Sequence, residues 1–214
     1  MGEAILIQRG GSCGNSSGEV IVEFDNFIPS NIDLPDEELI RSTPTALSAK
    51  REYLAGASVG NYALFAGGYG SSPSYKNTVD AYDTFLTRST PTALSVGRER
   101  LAGASVGNYA LFAGGYGSSP AYKDTVDAYD TSLTRSTPTA LSVGRRELVG
   151  ASVGNYALFA GGRSSSSSYS DVVDAYDTSL TRSTPTALSV ARYYLAGASV
   201  GNYALFAGGR SSSS

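Results

Sequence analysis

Histidine and tryptophan are both missing from the 214 residues, and cysteine occurs once, as Cys13. Without histidine no side chain has an ordinary pKa near neutrality, so neither a Ser-His nor a Cys-His catalytic pair can be assembled, and the commonest transition-metal ligand is gone. A single cysteine excludes an intrachain disulfide and any zinc site built from several thiolates. Cys13 stands among Gly and Ser and reads as an unpaired thiol. Long apolar runs are lacking too. No stretch reaches the roughly 20 residues of a bilayer-spanning helix, and the start MGEAILIQRGG has neither the basic flank nor the apolar core of a secretory signal. Charge is balanced at 16 basic against 19 acidic residues, a net of -3, which gives no attraction to a phosphate backbone or to anionic lipid. The expectation is a soluble, non-enzymatic chain, cytoplasmic as synthesised unless a larger assembly carries it. No cofactor, metal, nucleic acid or membrane partner is expected.

What the sequence has is repetition. The octapeptide NYALFAGG begins at Asn61 and returns at Asn108, Asn155 and Asn202, each time 47 residues on. The repeat divides the chain into a leader, 1–41, and tandem units at 42–88, 89–135, 136–182 and a shortened 183–214. A period near 47 is too long for the helical 33- and 34-residue repeats and suits the blades of a propeller. Within a unit, LAGASV (101–106) and YALFAG (109–114) are short apolar runs joined by Gly107-Asn108, a two-residue hairpin signal, and read as strands a and b. TVDAYD (125–130) alternates as strand c does, and STPTAL, carrying a proline, belongs as strand d at a sheet edge or beyond it. No segment sustains a period of 3.6, so helix is not expected.

The unit resembles the kelch repeat. The resemblance rests on an Arg before strand a (Arg51, Arg98, Arg145, Arg192), a Gly-Gly closing strand b (Gly67-Gly68, Gly114-Gly115, Gly161-Gly162, Gly208-Gly209) and a Tyr-Asp in strand c (Tyr82-Asp83, Tyr129-Asp130, Tyr176-Asp177). The usual Trp seven residues after that Tyr is replaced by Ser89, Ser136 or Ser183, so packing between blades must rely on Leu, Tyr and Phe. The resemblance implies an all-β, kelch-like β-propeller of four-stranded antiparallel blades, about four to the chain, and an intracellular protein-interaction scaffold as one role. The last unit lacks c and d. VIVEFDNF (20–27) aligns with TVDAYDTF (78–85), and the segment from Arg41 supplies a d, so N-terminal strands could complete the C-terminal blade. A larger ring from two chains is the alternative, making the protein a monomer or a homodimer through open blade edges. AILIQRGG (4–11) looks like a worn strand b left over by that closure. The leader also resembles the short starts of phage tail-associated proteins, which implies a place in a tail or similar appendage.

Apart from Phe85 against Ser132 and Ser179, the differences among the copies fall in two windows, the d-to-a connection and the b-to-c loop. In an up-and-down sheet those connections emerge on the same side. That places Glu52, Tyr53, Glu99, Arg100, Arg146, Glu147, Tyr193 and Tyr194 at the start of strand a, with Tyr69, Tyr75, Tyr116, Tyr122, Arg163, Tyr169 and Arg210 in the loops around them. Tyr gives large amphipathic contact at low entropy cost, and Ser and Gly give short polar adaptability, so this composition suits recognition of a glycan or protein. Drift of tolerant loops after duplication is the plainer explanation. Asp124, Asp127 and Asp130 could suggest calcium, but their spacing sends neighbours to opposite faces of a strand, which fits turn and edge hydrogen bonding better.

Overall fold

The structure, a computed structural model, describes residues 6–9 and 39–211, the first two strands through their backbone alone. Every regular element among the described residues is a β-strand, and none is a helix. The first copy folds as β3 (Ala55–Val59), β4 (Tyr62–Ala66), β5 (Val79–Tyr82) and β6 (Arg88–Ser89). The second is β7 (Ala102–Val106), β8 (Tyr109–Ala113), β9 (Val126–Asp130) and β10 (Arg135–Ser136); the third is β11 (Val149–Val153), β12 (Tyr156–Ala160), β13 (Val173–Asp177) and β14 (Arg182–Ser183). Each of these three is a four-stranded antiparallel meander whose strands pair in chain order. The fourth copy has two strands, β15 (Tyr193–Val200) and β16 (Tyr203–Arg210), and the described residues do not form a closed sheet.

The short outer strand has a physical cause. Only Arg-Ser pairs with strand c, as Arg135 opposite Tyr129 and Ser136 opposite Ala128. The Thr-Pro that follows cannot continue a ladder, because proline has no N–H to donate. The chain leaves the sheet there, and the leucine beyond it (Leu94, Leu141) turns back into the core.

Consecutive copies lie side by side with their first strands in contact, β3 against β7, β7 against β11 and β11 against β15. Alternation along the octapeptide serves both interfaces. Ala110 and Phe112 join Val59, Leu64, Ala66, Val79 and Ala81 of the first copy, while Leu111 on the other face joins Leu141, Leu148, Ala157, Phe159 and Tyr176 of the third. Phe112 and Tyr129 meet edge to face with centroids 6.0 Å apart, and the Tyr129 hydroxyl donates to Thr92 O at 2.7 Å. Gly-Gly ends strand b where the backbones cross: a Cβ on Gly114 would stand 2.6 Å from Arg145 O of the next copy, and Gly115 N donates to that same oxygen at 2.9 Å.

Inside each complete copy a buried ion pair ties strand a to strand c. Arg51 reaches Asp80 at 2.7 Å, Arg98 reaches Asp127 at 2.9 Å and Arg145 reaches Asp174 at 2.8 Å. Arg98 Nη2 also donates to Phe112 O at 3.0 Å, so one side chain spans three strands. Asp127 Oδ1 accepts in addition from Ser95 N and from Arg135 Nη1. Burial pulls the Arg98 pKa down and the Asp127 charge resists it. Burial alone would raise Asp174, but the Arg145 charge and hydrogen bonds from Arg145, Arg182 and Ser142 hold its carboxyl below the usual range. The Arg and the Asp were both visible in the repeat; their constant separation of 29 residues was the unused signal.

The leader departs from expectation. The strand beside the Arg41 segment is β1 (Leu6–Arg9), which pairs antiparallel with β2 (Leu39–Ser42), Ile7 opposite Arg41. The stretch read as a worn strand b left over by closure thus forms a two-stranded ladder with the Arg41 segment. Val20–Phe27, expected in that place, lies outside the described residues.

Candidate functional site

The variable residues are held on a frame. Past the ends of strands a and b, backbone bridges continue the sheet: Glu52 with Tyr69 and Tyr69 with Tyr75, Glu99 with Tyr116 and Tyr116 with Tyr122, Arg146 with Arg163 and Arg163 with Tyr169. Tyr193 and Arg210 face each other inside the longer ladder of β15 and β16. The expected site residues are thus set at equivalent places in successive copies, all on the side where d-to-a and b-to-c connections meet.

The next position along forms the innermost row. Arg100 N donates to Tyr53 O at 2.8 Å, Glu147 N to Arg100 O at 3.0 Å and Tyr194 N to Glu147 O at 3.2 Å. These four residues have φ of 56°, 53°, 57° and 56°, the left-handed region that side chains of this size avoid, at a cost of roughly 1–3 kcal/mol each. The constraint is shared by every copy while the side chains differ in kind.

Those side chains converge. Arg100 lies over the Tyr53 ring at 4.3 Å, its Nη1 donates to Glu147 Oε1 at 2.5 Å and it meets the Tyr194 hydroxyl at 2.5 Å. Glu147 is buried, its side chain 1% exposed, and its Oε2 has no hydrogen-bond partner. Arg100 Nε is also without one, with Glu99 Oε1 3.5 Å away. Burial raises the Glu99 pKa, partly offset by Arg100 and Arg146. Burial also raises the Tyr194 hydroxyl, as does its hydrogen bond to Glu147. Around this row lies a cavity of about 180 Å³ floored by the invariant Leu54, Leu101, Leu148 and Leu195.

Further out, tyrosines meet edge to face, Tyr69 with Tyr75 at 5.8 Å and Tyr116 with Tyr122 at 5.4 Å within a copy, and Tyr75 with Tyr116 at 6.1 Å between copies. Arg146 sits over Tyr116 at 4.6 Å, and Arg163 over Tyr193 at 5.0 Å and Tyr169 at 5.7 Å. Tyr193 is buried between Tyr169 and Tyr194, with centroids 4.8 Å and 4.9 Å away. Two larger hollows flank the row, one of about 400 Å³ beside Glu52 and Tyr69, the other of about 590 Å³ beside Tyr169, Tyr193 and Arg210. Glu52, Tyr53, Tyr69, Tyr194 and Arg210 are exposed, while Glu99, Glu147 and Tyr193 form the packed base.

The aspartates of strand c have other work. Asp127 is the buried ion-pair partner of Arg98, and Asp130 Oδ1 accepts from Ser132 N and Thr134 N at 2.9 Å each, closing the c-to-d turn. Among the described residues no group of His, Cys, Asp or Glu is arranged to hold a metal ion, and no helix is long and apolar enough to cross a membrane. No protein-family model matches the chain, and no curated protein matches it either.

Proposed function

We propose that the protein is a kelch-like β-propeller acting as a non-enzymatic binding module, and that its ligand, a glycan or a protein, is taken up on the face carrying the d-to-a and b-to-c connections. The observation that carries this reading is the sorting of the repeat. Apart from the exposed Phe85 of the first c-to-d turn, what is constant among copies goes into the core and the opposite turns, and what varies meets on one face as a lattice of Tyr, Arg and Glu. Drift would scatter side chains that ignore each other; here substituted positions from different copies pair with one another, Arg100 with Tyr53, Glu147 and Tyr194, and Arg146 with Tyr116. The binding reading holds for the open row of copies, in which β16 is an uncovered edge, and equally for the alternative of a ring closed by the leader or by a second chain, which would cover that edge; the loop face stays free in each.

A glycan array probed with the full chain, alongside a pulldown from lysate, tests the reading. Selective binding in either assay that is lost in the Tyr193→Ala, Tyr194→Ala double variant supports it. Binding that survives that variant together with Tyr69→Ala and Tyr122→Ala, in a chain that still folds, would place recognition elsewhere.

A further inference from the structure

The row of copies leaves a face open at each end, and the junctions inside the row show what each face fits. On the outer face of the fourth copy Val200, Tyr203 and Leu205 are each more than half exposed. Their equivalents Val59 and Leu64 are buried by the second copy, and Val106 and Leu111 by the third. On the outer face of the first copy Ala63 is exposed and Phe65 half-buried, whereas Ala110 and Phe112 are fully buried against the first copy and Ala157 and Phe159 against the second. The two open faces are therefore the two sides of the interface that joins the copies.

The backbone repeats the same logic. Gly68 N donates to Arg98 O at 2.8 Å, Gly115 N to Arg145 O at 2.9 Å and Gly162 N to Arg192 O at 2.8 Å, each across a junction. Gly209 N on the fourth copy and Arg51 O on the first are the equivalents at the two ends. The step between copies is constant too, a Cβ on Gly103 standing 2.2 Å from Gly56 O and one on Gly150 2.2 Å from Gly103 O. With that step the end faces of one chain do not meet: a Cβ on Gly201 or Gly208 has nothing within 4 Å, where the equivalents Gly60 and Gly67 touch the next copy. The occupant is thus a second chain.

The leader carries an independent observation. Arg41 and Ser42 of β2 stand 47 residues before Arg88 and Ser89 of the first strand d. Leu6 opposite Ser42 and Ile7 opposite Arg41 repeat the register of Ala81 opposite Ser89 and Tyr82 opposite Arg88. So β1 and β2 are a c and a d without a and b, while β15 and β16 are an a and a b without, among the described residues, c and d. Each half leaves an open edge that another strand can pair with. Gly97 and Gly144 make room for the b-to-c loop of the preceding copy, a Cβ there lying 2.4 Å from Tyr75 O or 2.6 Å from Tyr122 O, and the equivalent in the first copy is Lys50. A blade split between two chains has no b-to-c loop, so a lysine fits there.

We infer that chains of this protein associate head to tail: the fourth copy of one chain packs on the first copy of a second, whose β1–β2 hairpin pairs along β16 and completes the blade. In the register of the complete copies, Leu205 stands opposite Leu6 and Ala204 opposite Ile7. The contact is heterologous, so chains close into a ring or extend as a filament. It forms with rising concentration, and at dilution β16 is an open edge. It does not depend on the loop face being the ligand-binding surface.

Sedimentation velocity of the full chain over a concentration series tests it. The wild-type chain should shift from monomer to dimer or a higher multiple, and exchange of the Tyr203–Arg210 amides should slow as it does. Leu205→Asp at one end and Ala63→Asp at the other alter exposed side chains, should keep the wild-type circular dichroism, and should each stay monomeric. Val200→Asp repeats the test on the fourth copy. An equimolar mixture of Ala63→Asp and Leu205→Asp should recover a dimer and nothing larger, because it holds one intact junction. Ser132→Asp, exposed within the row, should leave association unchanged. A wild-type monomer at every concentration overturns the inference, whether the ring closes within one chain or stays open. Association that survives either single variant also overturns it, by placing the contact between like ends, and so does a mixture that stays monomeric.

Discussion

The octapeptide NYALFAGG contributes β8 in the second copy and most of β16 in the fourth, each paired with its strand a in the same register, and the rest of their surroundings differ. Leu111 is 0% exposed and Leu205, its equivalent, 51%; Val106 is 2% exposed and Val200 62%. Arg98 is locked to Asp127 inside the sheet, whereas Arg192 has Gly208 O at 2.6 Å as its acceptor and, among the described residues, no strand c beside it. The octapeptide therefore contributes little stability by itself. Its worth comes from the strand c that covers one edge and the copies that cover both faces, as expected where stability is a sum of neighbour interfaces.

Four comparisons break or sharpen this contrast. Asp127→Ala removes one partner of a buried pair and should cost about 3–5 kcal/mol in urea denaturation, while Arg192→Ala should cost no more than about 1 kcal/mol. An equal loss at Arg192 would mean that it has a carboxylate partner in solution. Leu111→Ala should cost about 2–5 kcal/mol and Leu205→Ala under about 1 kcal/mol, measured the same way. Gly103→Ala puts a Cβ 2.2 Å from Gly56 O and should cost about 1–3 kcal/mol or more, whereas Gly56→Ala, whose nearest neighbour would be Phe65 at 3.7 Å, should fall within about 0.5 kcal/mol. If both glycines resist substitution alike, a further strand packs on the first copy, as ring closure requires.

The smallest effect concerns pH. The folded pKa of Asp174 lies below its unfolded value, so its contribution is complete above the unfolded value and is lost as pH falls through the folded one. The melting temperature followed by circular dichroism should be level between about pH 5 and 7 and drop below about pH 4, with a shallower drop in Asp174→Asn.

Much of this could be read from the repeat. Strands a, b and c follow from short apolar runs, a Gly-Asn turn and the alternation of VDAYD, because each is a local property. The grouping of variable residues on one face needed only the parity of an up-and-down sheet. What escaped were matters decided by distant partners. The Arg-Asp tie joins residues 29 apart, and the aspartate alone looked like a turn former. The left-handed backbone at Arg100, Glu147 and Tyr194 goes with a hydrogen bond to a carbonyl of the preceding copy, which no local pattern encodes. The pairing of β1 with β2 escaped because two stretches of the leader could each form a strand, and alignment to the repeat singled out 20–27, which lies outside the described residues.

Native-state hydrogen exchange compares the two octapeptides most directly. Amides of Tyr109–Ala113 should exchange only through global unfolding, and the outward-facing amides of Tyr203–Arg210 should exchange orders of magnitude faster, near the rate of an open edge. Equal protection of the two strands would contradict the account, because β16 would then be covered as fully as β8.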